Sequence, residues 1–222
     1  HKTQILESRL QSTQTLGNAL KACKNPPSTW IQASAIGYYG SRGDEELREE
    51  SPSGELYLSK VCRQWEAAAQ EIAAQSPSLR LVVLRLGMVL DAKAPGWKEL
   101  TRPIRLGVGG PLGTGSQWVS WISAIDVARM ILHLLQHPGN DGIWNAVSPG
   151  ALRQKDMVQQ IGRALSRPTV IPTPAWALRL ALGGMADELV LPSARVVPQR
   201  FLRDGFTFTH PSFAELLPEL LT

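Results

Sequence analysis

The chain has 222 residues, of which 43% are hydrophobic and 19% are charged, and its formal net charge is +4. This composition is typical of a globular α/β protein with one substantial core and excludes a disordered chain. No apolar run reaches the ~20 residues that a transmembrane helix needs, and basic residues alternate with acidic ones, so neither a membrane span nor a nucleic-acid-binding stripe is expected. Cys23 and Cys62 lack metal-ligand spacing, which favours reduced thiols and a cytoplasmic location.

The first half of the chain alternates helical and strand patterns. Apolar spacing predicts a helix over residues 5–20, a strand at Ser28–Ala35, a helix at Tyr57–Ala74 and the clearest strand at Leu79–Leu86. This order is typical of a parallel sheet that is covered by helices on both faces. We therefore expect the two strands to be adjacent and parallel, joined by a right-handed crossover through the second helix.

The second half is more irregular. Residues 107–115 contain five glycines, and past Pro168 short helices alternate with prolines and glycines, as in a small appended lobe. Between these segments we predict a strand at Gln117–Ile122, a helix from Asp126 to Gln136, a strand at Gly142–Val147 and an amphipathic helix at Arg153–Leu165.

One expected unit is missing from this pattern. A dinucleotide-binding sheet begins with a strand, a Gly-x-Gly-x-x-Gly turn and a helix, and the sequence contains no such unit. We therefore expect that the first strands of the sheet are missing from this chain and that the chain by itself binds a nicotinamide cofactor poorly.

The glycine-rich segment after the first predicted strand, residues 36–40, is one of several segments that resemble a known protein family. Read alone, small residues and glycines there indicate close packing and a turn as readily as a ligand site. With the segments below, however, the chain resembles the epimerase-like family, often labelled SulA-like or cell-division inhibitor, of the extended short-chain dehydrogenase/reductase superfamily. The matching segments are Ser34-Ala35-Ile36-Gly37-Tyr38-Tyr39-Gly40, Glu49-Glu50-Ser51-Pro52, Val61–Glu66, Leu84–Leu90, Gly109–Trp118, Ser120-Trp121-Ile122 with Asp126, and Val197–Arg200 with Gly205-Phe206.

The resemblance implies a Rossmann-type α/β fold with a small mixed C-terminal lobe. Residues 1–91 would be the C-terminal half of an NAD(P)-binding Rossmann domain. Residues 92–222 would be a substrate-side lobe, with residues 118–137 returning to the Rossmann domain. The implied cofactor is NADP(H).

The resemblance also implies a catalytic pair. The superfamily uses a tyrosine, a lysine four residues later and a serine that positions the substrate oxygen. Tyr57 matches the tyrosine and Ser34 the serine in one register, whereas Ala35 matches it in the other. Val61 stands at the lysine position, with Lys60 one residue early. We expect Tyr57 and Val61 to face the same cleft as Ser34 and Lys60 to point away.

Further site residues are implied in the same way. The implied substrate-side residues are Gln117, Trp118 and Trp121, although either tryptophan could equally fill the core. The implied cofactor-binding residues are Arg9, which aligns with a helical asparagine of the superfamily, and Ala33, Ser34, Tyr57, Arg85, Gly87 and Met88, the last three at the strand end whose backbone meets the nicotinamide carboxamide.

The remaining patterns leave alternatives open. His133 and His137 have the i, i+4 spacing of a helical metal site, but no third ligand is apparent nearby, so no metal is predicted.

The function that the resemblance implies is NADP(H)-dependent conversion of a small sugar-like or carbonyl metabolite. The alternative is a non-catalytic nucleotide sensor or interaction protein without the catalytic lysine. A hydrolase using Ser34 is disfavoured because no Gly-x-Ser-x-Gly segment is present. No nucleic-acid or membrane partner is expected, and the oligomeric state is left open.

Overall fold

A computed structural model describes residues 2–222, with side chains from Thr3 onwards. The helices are α1 (Lys2–Ala22), α2 (Tyr57–Ala74), α3 (Pro95–Arg105), α4 (Ala124–Gln136), α5 (Gln154–Ala164), α6 (Ala175–Leu182), α7 (Gln199–Arg203) and α8 (Phe213–Leu221). The strands are β1 (Thr29–Ala35), β2 (Glu46–Leu47), β3 (Arg80–Leu86), β4 (Met88–Leu90), β5 (Trp118–Val119), β6 (Trp121–Ser123), β7 (Gly142–Ala146), β8 (Leu152–Arg153) and β9 (Arg195–Val196).

The central sheet has three parallel strands in the order β1-β3-β7. Thr29 to Ala35 pair in sequence with Arg80 to Leu86, and Val82 to Leu86 pair with Gly142 to Ala146. The predicted parallel neighbours β1 and β3 are therefore confirmed, and α2 is the helix between them. The expectation that further strands precede β1 stays a prediction.

The two faces of this sheet carry different helices because successive side chains of a strand point to opposite sides. On one face Trp30 packs with Ala69 and Ile72 of α2 and with Leu20 of α1. The other face is covered by α4, whose Met130 and Leu134 belong to one core cluster with residues of β3 and β7; its strand residues are Val82, Leu84, Trp144 and Ala146. The parallel sheet is thus buried on both sides, as its apolar strands require.

A second core lies beside the sheet. Helices α3, α5 and α8 enclose Trp97, Trp121, Ile161 and Phe213, and the rings of Trp121 and Phe213 meet edge to face with centroids 5.7 Å apart. Short strand pairs frame this core: β4 with β6 and β2 with β9 are parallel, and β5 with β8 is antiparallel.

Two elements depart from the predicted pattern. The strand predicted at residues 117–122 is divided at Ser120, whose side chain accepts a hydrogen bond from Val196 N at 2.9 Å and donates one to Ala194 O at 2.8 Å. Helix α3 was not predicted, and it contains Pro103 in its interior, a residue that argues against a helix.

The predicted domain division stays a prediction, with one feature that it does not anticipate. It assigns residues 142–146 to the second lobe, whereas β7 is a strand of the central sheet.

Within residues 2–222, no helix combines the length and the apolarity that crossing a bilayer requires. Cys23 is exposed, Cys62 is buried, and neither forms a disulfide.

Candidate functional site

A row of polar residues crosses the central sheet. Ser34 of β1 pairs in register with Arg85 of β3, and Arg85 pairs in turn with Asn145 of β7. All three side chains are buried. Because Ser34 lies two residues from Gln32 and four from Trp30, it faces α2, so the row lies under that helix.

The centre of this row is an ion pair between Arg85 and Glu66 of α2. Arg85 Nε donates to Glu66 Oε1 at 2.9 Å, and Arg85 Nη2 donates to Glu66 Oε2 at 2.8 Å. Ser34 Oγ donates to the same Glu66 Oε1 at 2.6 Å. The carboxylate is therefore satisfied by two guanidinium nitrogens and one hydroxyl, as a buried charge requires.

Tyr39 and Glu49 extend this arrangement toward β7. Tyr39 Oη donates to Asn145 Oδ1 at 2.7 Å and accepts from Arg85 Nη1 at 2.9 Å. Burial raises the pKa of Tyr39 to about 12, even though the Arg85 charge acts in the opposite direction. Glu49 Oε1 accepts the backbone N–H groups of Asn145 and Arg200, each at 3.2 Å. We call Ser34, Tyr39, Glu49, Glu66, Arg85 and Asn145 the buried polar network.

Glu49 is the least satisfied member of the buried polar network. Its Oε2 atom is buried and has no hydrogen-bond partner among the described residues. Burial raises the pKa of the Glu49 carboxyl, and the backbone N–H groups of Arg200 and Asn145 oppose that shift. The network therefore ends in a carboxyl group that is held more easily in the neutral form than an exposed glutamate.

The carboxyl ends of the parallel strands meet at one edge of the sheet, where open α/β folds bind their ligands. At this edge the turn Ile36–Tyr39 follows β1, and Gly87 and Met88 follow β3. Ser59 Oγ of α2 donates to Gly37 O at 2.8 Å and so fixes the turn against the start of the helix. The edge is thus formed by three backbone segments, the turn after β1, the segment after β3 and the start of α2.

Tyr57 lies in the first turn of α2. The backbone N–H groups of Tyr57 and Leu58 donate to the Glu188 carboxylate at 3.2 Å and 3.0 Å. Glu188 belongs to a π-helical turn, Ala186–Val190, far along the chain. An acidic side chain therefore caps the positive end of α2, where a negative charge is favoured.

The structure places the predicted catalytic residues in different surroundings. Tyr57 is half-buried, whereas Ser34 is buried and its hydroxyl donates to Glu66. Val61 is buried and Lys60 is exposed, and the expectation that Tyr57 and Val61 face the same cleft as Ser34 stays a prediction. The assignment of Tyr57 and Ser34 as a catalytic pair stays a prediction.

The predicted cofactor residues divide in the same way. Met88 is 43% exposed at the strand end. The N–H of Gly87 donates to Ala146 O and that of Met88 to Ser120 O, and the Met88 backbone pairs with Trp121 in the β4–β6 ladder, so the Met88 side chain is the exposed group left for a cofactor. Arg85 is enclosed by the buried polar network, and its backbone lies in the middle strand of the sheet, paired with β1 on one side and β7 on the other, so it is closed to such a contact.

The other two predicted cofactor residues lie outside the network. Arg9 is exposed on α1, and its guanidinium lies 5.7 Å from the ring centroid of Trp65 on α2. Ala33 is exposed on the face of β1 opposite Ser34. The structure thus does not bring Arg9, Ala33 and Ser34 to one surface.

The predicted substrate-side residues have structural partners. Gln117 Nε2 donates to Leu112 O at 3.0 Å and to Val190 O at 3.2 Å, which holds the glycine-rich segment to the π-helical turn. Trp118 is half-buried, and its Nε1 donates to Asp44 Oδ1 at 3.0 Å. The Trp121 indole is fully buried and fills the second core, which is the alternative considered for the tryptophans.

Sequence reasoning missed four members of the buried polar network: Tyr39, Glu49, Glu66 and Asn145. One signal was present, because Arg85 is the charged residue in the middle of the apolar segment Leu81–Leu86 and a buried arginine needs an acidic partner. Glu66 lies on the same face of α2 as Cys62 and Ala69, both buried, which marks it as inward-facing.

A third polar group also lies beside His133 and His137. Asp204, which follows α7, approaches them so that one possible ligand atom from each residue lies within 4.8 Å of the other two. The expectation that no third ligand is close was therefore wrong. It failed because Asp204 is distant in sequence and only the tertiary structure brings it near.

Comparisons with known proteins agree with this architecture. Residues 1–146 match the NAD dependent epimerase/dehydratase family, and residues 173–220 match a domain of unknown function, DUF1731. The human epimerase family protein SDR39U1 is 32% identical over 219 residues, which cover 98% of this chain and 74% of that protein.

Solved structures give the same result. The crystal structure of human SDR39U1 (isoform 2) with NADPH superposes with a TM-score of 0.92 at 32% identity, over 99% of this chain and 74% of that one. The nucleoside-diphosphate sugar epimerase from Corynebacterium glutamicum superposes with a TM-score of 0.79 at 31% identity, over 100% of this chain and 43% of that one. These relatives carry the epimerase name and not the division-inhibitor label. The fold is Rossmann-like, and the chain belongs to the NAD dependent epimerase/dehydratase family.

Proposed function

We propose that this chain takes part in NADP(H)-dependent epimerisation or reduction of a small sugar-like or carbonyl metabolite. The observation that carries the proposal is the superposition on human SDR39U1, a relative crystallised with NADPH, over nearly the whole chain. The exposed strand end at Met88 and the turn Ile36–Tyr39 lie at the edge where such folds hold the nicotinamide.

The residues present fit one end of the cofactor. The exposed Met88 side chain can pack against a nicotinamide at the strand end, where the N–H groups of Gly87 and Met88 are already used within the sheet. Tyr57 and Leu58 present the positive end of α2, at present paired with Glu188. The sequence has no Gly-x-Gly-x-x-Gly turn for the pyrophosphate, so we propose that the chain by itself binds NADPH weakly.

Within this proposal the chain's own residues have defined roles. Tyr57 exchanges a proton with the substrate oxygen, and Ser34 orients that oxygen once its hydroxyl leaves Glu66. Bound NADPH would supply the hydride for a reduction, and bound NADP⁺ would accept a hydride from the substrate and return it in an epimerisation. Val61 offers no positive charge to stabilise a tyrosinate, and Lys60 is exposed, so proton transfer through Tyr57 is expected to be slow.

The domain roles form part of the same proposal. Residues 1–91 would contribute the nicotinamide side and residues 92–222 the substrate side, with residues 118–137 returning to the sheet. Ile122, Met130 and Leu134 pack in one cluster with Val82 and Leu84 of β3. This packing supports the proposal that residues 118–137 belong with the central sheet. Gln117 and Trp118 would then lie on the substrate side of the cleft.

The test is turnover with NADPH over a panel of nucleotide sugars and simple carbonyl compounds. Tyr57→Phe is expected to lower turnover by less than ~100-fold, below the usual contribution of a fully activated acid–base group. Lys60→Met is the matched control and should leave turnover unchanged. A loss of several orders of magnitude in Tyr57→Phe would show an activated tyrosine despite Val61. No change at all would remove Tyr57 from the mechanism.

Binding is measured separately from turnover. NADPH titrated against the chain, followed by its fluorescence, is expected to give a weak, saturable signal that NADH does not match. Gly87→Ala, which alters the strand end, should weaken that signal. Tight binding of NADPH would contradict the proposed weak affinity. Complete absence of binding at high NADPH would contradict the proposed cofactor contact.

A further inference from the structure

A group of two histidines and one aspartate lies at the C-terminal end of α4, the helix that covers the face of the sheet opposite α2. It is outside the buried polar network. His133 and His137 are one helical turn apart, and Asp204 directly follows α7. The turn at Gly205, with a φ of 73°, directs the chain back across α4 after Asp204. Two segments distant in sequence thus meet at three potential metal ligands.

The geometry of this group is compact. One possible ligand atom from each of the three residues lies within 4.8 Å of the other two. The contact between His133 Nε2 and Asp204 Oδ2 is 2.5 Å, and the two imidazole centroids are 4.2 Å apart. Ligand atoms around a tetrahedral zinc ion are about 3.3 Å apart, so only small side-chain adjustments separate this arrangement from a coordinating one.

The surroundings orient each member of the group. His137 Nδ1 contacts His133 O at 2.7 Å, and in the tautomer that donates this bond the His137 Nε2 carries a lone pair. Asn140 Nδ2 donates to Asp204 Oδ2 at 2.6 Å. The Phe206 ring meets the His133 ring edge-on, with centroids 5.4 Å apart. Partners of this kind are what metal-binding histidines and carboxylates usually have.

We propose that His133, His137 and Asp204 form a zinc-binding site. Two neutral imidazoles and one carboxylate are a ligand set that Zn²⁺ accepts, with one position left for water. Zinc replaces the proton shared between His133 Nε2 and Asp204 Oδ2, and that proton is released to solvent.

The site has two structural consequences. It ties the last turn of α4 to the segment after α7, so that binding stabilises the packing of these two elements. His133 also lines a surface pocket of about 310 Å³ together with Arg129, Gln136 and Phe206. A zinc-bound water on that side would be accessible to a small anionic or polar ligand, with the Arg129 charge nearby.

The experiment is titration of the chain with ZnCl₂ by calorimetry, with CoCl₂ as a spectroscopic probe of the same site. We expect one equivalent of Zn²⁺ to bind, a rise of the melting temperature, and the visible absorption of four-coordinate Co²⁺. Asp204→Asn and His137→Gln each remove a ligand and are each expected to weaken zinc binding by more than about 100-fold, beyond the cost of losing an outer-shell partner. Asn140→Ala, which removes the hydrogen bond to Asp204, should weaken it by a smaller factor.

Two matched variants control for binding elsewhere. His210→Gln removes a histidine that contacts Glu219 instead, and Cys23→Ser removes the exposed thiol. Both should bind zinc as the parent chain does. Equal affinity in Asp204→Asn, His137→Gln and the parent chain would overturn the proposal, as would octahedral Co²⁺ spectra. A failure of the parent chain to bind Zn²⁺ or Co²⁺ would overturn it as well.

Discussion

The guanidinium of Arg85 and the carboxylate of Glu66 form a two-point ion pair, with Nε–Oε1 and Nη2–Oε2 distances of 2.9 Å and 2.8 Å. Their side chains are 1% and 5% exposed. Strand β3 and helix α2 are therefore joined by charge inside the core. A pair of this kind contributes little net stability when both partners are present, but the loss of one partner leaves a buried charge without compensation.

Glu66→Gln should lower the free energy of unfolding by about 3–5 kcal/mol, because the buried Arg85 charge then lacks its counter-charge. Urea denaturation followed by circular dichroism measures this change. Asp187→Asn is the matched control, since it removes the carboxylate of the exposed Arg179–Asp187 pair. That control should be almost neutral. An equally small effect of Glu66→Gln would mean that water or rearranged side chains solvate Arg85.

Tyr39 should remain protonated far into the alkaline range, because burial raises its pKa to about 12 from the ordinary value of 10.0. The folded pKa lies above the unfolded one, so the neutral phenol contributes its full stability below pH 10, and this contribution declines as the pH rises through 12. Ultraviolet titration of phenolate formation measures this. Tyr39→Phe should abolish the step of phenolate formation near pH 12, and Tyr38→Phe should retain that step. A step near pH 12 that persists in Tyr39→Phe would contradict the prediction.

Gly87→Ala should destabilise the fold by about 1–3 kcal/mol through overpacking. An added Cβ would lie 2.8 Å from both Ser120 O and Val147 Cγ1, so the backbone between β5 and β6 or the Val147 side chain after β7 would have to move. Gly96→Ala is the control, because nothing lies within 4 Å of its added Cβ in the first turn of α3. It should be neutral or slightly stabilising. Thermal unfolding of both variants tests the prediction, which a neutral Gly87→Ala would contradict.

Asp126 should make the protein acid-sensitive. Its own burial acts to raise the pKa of this carboxyl, but the N–H groups of Thr209 and His210, with the Thr209 and Ser123 hydroxyls, more than offset burial and leave the pKa below 3.8. The folded pKa is the lower one, so the stabilisation is present above about pH 4 and declines as the pH falls below it.

The measurement is unfolding at several pH values for the parent chain and Asp126→Asn. The variant should lose about 2–3 kcal/mol near neutral pH, where charged hydrogen bonds of this size are lost, and it should show less change between pH ~4 and more acid conditions. Asp91→Asn, in an exposed turn, is the control. An unchanged acid profile in Asp126→Asn would show that other carboxyls control the transition.

Local sequence patterns predicted most of the regular elements. The helix Tyr57–Ala74 has the bounds that the structure gives α2, and the strands predicted at Ser28–Ala35 and Leu79–Leu86 differ from β1 and β3 by one residue at their first positions. These elements follow from apolar periodicity and from breakers such as Pro77, which act within a few residues. Helix α3 was missed because Pro103 weakens the local signal, while Trp97 and Ile104 stabilise it from the second core.

The contacts within the candidate site could be identified only from the tertiary structure. The sequence indicated the carboxyl edge at Gly37 and Gly87, since strand ends and glycines are local features, and family resemblance supplied Tyr57 and Ser34. It did not indicate that Ser34 donates to Glu66 or that Asp204 meets His133, because each contact joins residues more than 30 positions apart. Composition and periodicity thus determined the class of fold, whereas the pairing of buried charges was decided by packing, which alone brings distant polar groups within hydrogen-bond distance and removes water from them.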